Sequence, residues 1–489
     1  MPQENRRYKL QKYIKLGIET ARASQKKQHL ANSFLGILNS SPKTAKRYPD
    51  LIDQRSELWR LGYSLITSTV ILLRSILYWP GLIKAQEQTN MCDILLISHL
   101  NNISYLKNNE DFYFGDLDVA CLNNGLRVHT VLINHCRATR GQVEKYPKKN
   151  LTVLSAYLSP LTELKLFLNL VIASFSLVCV GDKKFHKCAK FAQFDHIALG
   201  NSRIHEQVYN IILKLKPKAL VQTFEGHGWE RMVALSAHQM ENPITVFGYH
   251  HAVLFPGPRA IDFIYGCGAD PDNVLMAGSI TETLFKKESA YPSGNISVLG
   301  SVKHVPVKTC QRNRTLSKCC LLVPEGDMNE VRLMVNSGIE AAKKLPKIKF
   351  ILRLHPLLNL VKVTRTIPKI KTAPKNFVIS SHSLENDIKN SEWLVYRASS
   401  VVLNGMSYGL RPIYLNTDRS NDENDPIPNT ILFKKIVNNS GELLHIIESD
   451  LNNPVTCSNP QRTEAICFAN KYYSPLNPSV IIDIVKGFI

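Results

Sequence analysis

The chain of 489 residues has room for two or three domains with substantial cores, which excludes a peptide-sized module. Hydrophobic residues make up 44% and charged residues 20%, the balance of an ordinary globular chain, so wholesale disorder, a collagen-like fibre and a polytopic membrane protein are excluded. Sixty Lys and Arg stand against 40 Asp and Glu, a formal charge of +20, which predicts an anionic partner: nucleic acid, an anionic membrane face or a phosphorylated substrate.

The charge is concentrated. Residues 1–90 carry 15 basic and 6 acidic side chains, and residues 301–376 carry 16 and 4. Within the first region no secretory signal is readable, since the N-terminus lacks an apolar h-region and a cleavage site. The eleven cysteines include no C-x-x-C pair and no Cys/His cluster at zinc spacing, so structural disulfides and zinc are not expected, and a cytoplasmic location is. Residues 61–73 form an uncharged apolar run, followed by Arg74 and SILYWPGLI, and residues 166–181 form a second run. Both fall short of the roughly 20 apolar residues of a membrane span. Buried core helices are one reading; for the first run the other is an interfacial helix, with basic sequence upstream and Tyr78 and Trp79 at headgroup level.

From Cys92 the texture becomes β-α-β. Strands are expected at 92–98, 127–133, 219–224, 244–249 and 296–300, with helices at 115–124, 203–215 and 229–240 and a mostly helical insertion at 150–180. A second unit alternates strands at 319–323, 348–354, 376–379, 393–396 and 412–415 with helices near 328–344, 384–390 and 400–409. The polar segment 417–429 reads as a loop. The pattern predicts two doubly wound parallel-sheet α/β domains facing a crevice at the carboxyl ends of their strands. The expected divisions are 1–90, a basic helical region; 91–300; and 301–489.

Three strand-end clusters carry candidate chemistry. In the first, FEGHGWE, Glu225 follows a strand and is placed to act as a general base, or else to complement the dipole of the helix that follows; the flanking glycines would let a substrate approach the backbone. In the second, Arg353 and His355 share one strand face and Pro356 turns the chain; the cations suit a phosphate, or are a surface arginine and a satisfied histidine. In the third, Ser399 and Ser400 stand between a strand and a helix, as ordinary N-caps or as ligands for an anion. His227, His250 and His251 are auxiliary candidates, for the acceptor or for structural hydrogen bonds.

The order FEGHGWERM, GYHHAVLF, PDNVLMAG, ISVLGSVKH, RLHP and YRASSVVLNGMSYGLRPIYL resembles bacterial surface-carbohydrate glycosyltransferases of the GT-B type, closest to enzymes related to sialyltransferases and capsule Kdo transferases. The likeness spans roughly residues 91–430. It implies a GT-B pair of Rossmann-type domains, with an acceptor domain first and a nucleotide-sugar donor domain second. By that resemblance Glu225 is the catalytic base, His355 contacts the donor phosphate or cytidine, and Ser399 and Ser400 bind the phosphate. Asn404 stands where relatives often carry a glutamate that contacts ribose or base. The implied reaction is metal-independent transfer of a CMP-activated acidic sugar to a surface polysaccharide or lipid-linked glycan, with no cofactor. Its expected setting is the cytoplasmic face of an anionic membrane. A sugar-nucleotide epimerase and a UDP-sugar-dependent transferase are the alternatives. Nucleic acid is not an expected partner, because the basic residues lack an RNP-like or zinc-finger framework.

Overall fold

A computed structural model describes residues 3–24, 27–32, 35, 57–78, 83–84, 91–108, 111–146, 150–178, 180–256, 259–306, 318–356, 358–416, 425–454, 456 and 458–487. The expected Trp79 anchor and residues 417–424 of the expected polar loop lie outside them.

Among the described residues the first sheet has eight strands: β1 (Ile83–Lys84), β2 (Ile94–Leu100), β3 (Val128–Asn134), β4 (Leu151–Val153), β5 (Ala219–Thr223), β6 (Thr245–His250), β7 (Asn273–Met276) and β8 (Ile296–Val298). Their spatial order is β1-β4-β3-β2-β5-β6-β7-β8. All pairings are parallel except β1 with β4. The second sheet holds β9 (Cys319–Val323), β10 (Lys349–Leu352), β11 (Phe377–Ile379), β12 (Trp393–Tyr396), β13 (Arg411–Leu415) and β14 (Lys435–Val437) in the order β11-β10-β9-β12-β13-β14, all parallel. These are the two doubly wound units expected from the sequence. Central strands such as β5 and β13 are buried along their whole length, which is why they read as unbroken apolar runs. Short β4 and β7, and the helix Ser279–Glu288 between β7 and β8, were not anticipated.

In each sheet the strand order reverses once. The reversal falls between β2 and β5 in the first and between β9 and β12 in the second. Connections leave such neighbours toward opposite faces and open a crevice at their carboxyl ends. Those ends carry His99 and Glu225 in the first unit, and the 323–327 and 396–400 turns in the second.

The two units meet along a defined seam. Val253, Ala277 and Val305 share one core cluster with Val402, Met406 and Tyr472. After the helix Pro460–Tyr472 the chain returns to the first unit: the Ser474 amide donates to the Ala277 carbonyl at 2.9 Å, Ser301 N to Ser474 O at 2.9 Å, and Asn477 N to Leu299 O at 2.6 Å. The last helix, Ser479–Lys486, then buries Ile481, Ile482 and Val485 against Ile94, Leu96 and Val128. Each buried aliphatic side chain contributes about 1.5–3 kcal/mol.

The two apolar runs are not core helices. The helix Glu57–Tyr78 buries Ser64, Ser68 and Ser75, and its hydroxyls at 64 and 68 donate to the carbonyls of Phe191 and Phe194 at 2.9 and 2.7 Å. Most of its large apolar side chains face outward, while Leu61 and Ile71 pack on the cluster around Leu170 and Phe194. The helix Pro160–Phe175 likewise exposes Leu161, Leu164, Leu168, Ile172 and Phe175. The small inward residues let the first helix lie close on the domain, so length and hydropathy alone misassign it.

Gly300 tests the seam. Its φ is +86°, and a Cβ there would stand 2.0 Å from the Pro475 carbonyl oxygen. Left-handed strain and a backbone clash together should cost about 3 kcal/mol in Gly300→Ala. A thermal melt is expected to show a midpoint several degrees lower, whereas Gly294→Ala, where nothing lies within 4 Å, should melt like the parent.

Candidate functional site

Four adjacent strands of the first sheet, in the order β3-β2-β5-β6, end in His135, His99, Glu225 and His251. Because parallel strands end side by side, this puts a carboxylate and three imidazoles in one row. His99 Nδ1 is 2.7 Å from His135 Nε2, and His99 Nε2 is 2.7 Å from Thr223 Oγ1. Glu225 Oε2 meets His227 Nε2 at 3.2 Å, while Oε1 lies 3.4 Å from His251 Nε2. The Tyr113 ring packs over both His251 and His99, at 4.4 and 4.9 Å between centroids.

The loop that carries Glu225 is held from within. Glu230, at the third position of the helix Gly228–His238, is wholly buried. Its carboxylate accepts from the Glu225 amide at 3.0 and 2.9 Å and from the His227 amide at 2.8 Å. This satisfies two donors that a helix start leaves open. Gly226 has φ +86°, and a Cβ on it would meet the Ala260 Cβ at 2.4 Å; a Cβ on Gly228 would meet Asn201 Nδ2 at 2.9 Å. The glycines therefore admit neighbouring protein, which corrects the expectation that they make room for substrate.

Protonation divides the row. Burial alone would push Glu225 up, but the hydrogen bond from His227 and the influence of the surrounding histidines together outweigh it and hold the carboxyl well below the usual range. His227 is raised to about 9: its bond to Glu225 and the charges of Glu230 and Glu225 overcome burial. Burial pulls His99 and His251 down to about 3 and also lowers His135. It pushes Glu230 up to about 7. At neutral pH the centre is a Glu225 carboxylate paired with a His227 imidazolium, among neutral imidazoles. Burial pulls Lys303 below the usual lysine range, and the charge of Glu225 opposes that shift.

His250 is fully buried, and its Nδ1 bonds the Phe224 carbonyl at 2.8 Å. That bond locks β6 to the end of β5.

In the second unit His355 lies beside the 323–327 turn, so close that a Cβ on Gly326 would be 3.4 Å from its Nδ1. Arg353 is committed to the fold: its NH1 donates to Asp387 Oδ2 and to the His382 carbonyl, both at 2.8 Å. That ion pair, not a phosphate, accounts for its half-buried place. Pro356 is exposed at the turn. Ala398 adopts φ +53°, a left-handed conformation costing a non-glycine about 1 kcal/mol, and delivers the chain to Ser399 and Ser400. Ser400 precedes the helix Val401–Ser407, yet its side chain makes no cap hydrogen bond, so ordinary capping does not explain it. Asn404 Nδ2 donates to the Lys303 carbonyl at 3.3 Å, a bond a glutamate carboxylate could not make. Asn404, in the helix that follows the serine turn, thus touches Lys303, which in turn feels the charge of Glu225.

His99, His135, Tyr113, Thr223, Glu230 and Lys303 were missed in the sequence. Listing the polar residue at the end of every predicted parallel strand would have found His99 and His135.

No protein-family model matches the chain, and no curated protein does. Solved structures similar in overall architecture include UDP-GlcNAc 2-epimerase from Neisseria meningitidis bound to UDP-GlcNAc, 14% identical, covering 81% of this chain and 100% of that one with a TM-score of 0.49. UDP-GlcNAc 2-epimerase from Methanocaldococcus jannaschii is 14% identical over 81% and 99%, with a TM-score of 0.47. MurG from Acinetobacter baumannii is 12% identical over 81% and 99%, with a TM-score of 0.43.

The Glu225–His227 pair has a pH signature. His227 sits above its ordinary value of 6.5, so the stability it adds is fully present below about 6.5 and is lost as pH rises through about 9. Melting midpoints between pH 6.5 and 9.5 should therefore fall more steeply for the native chain than for His227→Gln. Parallel curves would show that the pair does not form.

Proposed function

We propose that the protein is a glycosyltransferase of the two-domain GT-B kind, moving an acidic sugar from a CMP-activated donor to a glycan hydroxyl. The observation that carries this reading is the junction of the Glu225 centre with the Ser399–Ser400 turn through Lys303 and Asn404, at the strand-order reversals of the two sheets.

In this reading the donor phosphate lies on the second unit, against Ser399, Ser400 and His355, and the sugar extends toward Glu225. The His227 imidazolium and the basic Lys303 beside the site suit a sugar that itself bears a carboxylate. The acceptor oxygen bonds to the anomeric carbon, the bond from that carbon to the phosphate oxygen breaks, and CMP leaves with the electron pair. Glu225 Oε1 takes the acceptor proton. Its weak basicity fits a late proton transfer, when the bond-forming oxygen has become strongly acidic. Neutral His251 orients that oxygen, and the cations offset charge on the leaving phosphate.

A second reading is an isomerase acting on the sugar nucleotide alone. The chain His135–His99–Thr223 favours it, since it supplies proton-carrying groups beyond the single base a transfer needs.

Glu225→Gln separates function from binding. Loss of a general base lowers turnover by about 10²- to 10⁴-fold, while calorimetric donor binding should stay near the native value. Near-native turnover at saturating substrates would assign the base elsewhere. Conversion of the nucleotide sugar without any acceptor, followed by NMR, would instead establish the isomerase.

A further inference from the structure

Two helices of the first unit are built inside out. On Glu57–Tyr78 the serines at 64 and 68 face the protein and bond its carbonyls, while Leu58, Ile66, Leu73, Ile76 and Leu77 are all more than half exposed. This helix is long and apolar enough to cross a membrane by composition, with a mean hydropathy of 1.4. Its hydrogen bonds to the residue 191–194 turn nevertheless keep it lying along the domain. Beside it, Pro160–Phe175 turns Leu161, Ile172 and Phe175 outward, with exposures of 81%, 65% and 75%. Leu61 and Ile71 of the first helix and Leu166 and Phe167 of the second pack on one shared cluster, so the exposed faces adjoin.

The borders of this face identify its partner. Aromatic rings mark both ends of the long helix: Trp59 stacks on Tyr63 at 5.1 Å, and Tyr78 meets Tyr157 at 6.4 Å. Aromatic residues of this kind favour the boundary between hydrocarbon and water. Segments 57–78 and 160–190 hold seven Lys and Arg against three Asp and Glu. Lys187 reaches Glu57 at the start of the long helix, Lys190 lies 5.0 Å over the Phe175 ring, and Lys183 and Lys184 are exposed beside them. A second copy would bring two such basic rims together; an anionic bilayer neutralises them.

We propose that the helices Glu57–Tyr78 and Pro160–Phe175 form one docking face for an anionic lipid bilayer, lying in its interface without spanning it. A cavity of about 520 Å³ opens under this face. Ile66 and Val70 belong to both the face and the cavity wall, and Arg74, Arg137 and His135, which bonds His99, also line it. Docking would set the cavity mouth at the lipid surface. The proposal does not depend on the transfer reading.

The test is co-sedimentation of the full chain with vesicles of phosphatidylcholine and phosphatidylglycerol, and of phosphatidylcholine alone. The triple variant Leu73→Gln, Ile76→Gln, Ile172→Gln, exposed at every position, should retain the native melting curve and lose vesicle partitioning by on the order of 100-fold. Lys183→Gln with Lys184→Gln should keep binding to both vesicles and lose on the order of tenfold of the preference for the anionic one. Absence of native binding at low salt, equal binding by the triple variant, or a dimer in sedimentation velocity that the triple variant abolishes would each overturn the docking face.

Discussion

The hydrogen bonds between residues 474–477 and the carboxyl ends of β7 and β8 tie the second unit to the first. Beside the apolar cluster in which Val253 and Ala277 meet Val402 and Met406, that return fixes the start of the segment that leads into the second unit. With it, Ser301 is pinned by Ser474, and His304 Nδ1 bonds the Tyr473 carbonyl at 2.7 Å. Lys303, lying between them, is fixed where its carbonyl accepts from Asn404 and its ammonium feels Glu225. The closeness of the backbones also explains two glycines: a Cβ on Gly278 would lie 2.3 Å from the Tyr472 carbonyl oxygen, and Gly300 is under the same constraint from Pro475. The architecture thus constrains the site through main-chain contacts laid over an apolar seam that both units share.

Within that frame the first unit concentrates unusual electrostatics in a small volume. Burying a carboxylate is costly unless it is paired. Glu225 meets this condition with His227, whereas Glu230, held by two backbone amides, is still pushed up to about 7 by burial. The outcome is a centre that holds its charges before any substrate arrives. Three neutral imidazoles around it donate and accept without adding charge. Shifted titration of this kind, combined with a crevice, is a physical signature of a functional site, whereas the Arg353–Asp387 pair of the second unit ties the end of β10 to a neighbouring helix.

Much of the fold was legible because parallel strands buried on both faces leave unbroken apolar runs, as at 319–323 and 393–396. Short β4 and β7 carry too little pattern to be found this way. Glu225 was readable from its place after a strand, and the serine pair from its place before a helix. His99 and His135 were not, because each is a single histidine whose meaning depends on which strands become neighbours. The order β3-β2-β5-β6 joins residues 99, 135, 225 and 251, far apart along the chain. Helix Glu57–Tyr78 was ambiguous for a different reason: composition reports that a helix is apolar, but only packing reports which side is turned inward.

The account stands or falls on whether the second unit binds a nucleotide monophosphate at its serine turn. Isothermal titration of the full chain with CMP, UMP, CDP and UDP in the presence of EDTA measures this directly. The account expects CMP to bind most tightly, with binding weakened about tenfold or more when Ser399 and Ser400 are both replaced by alanine. Tighter binding of UDP than of CMP, an absolute need for a divalent cation, or CMP binding indifferent to the two serines would contradict it.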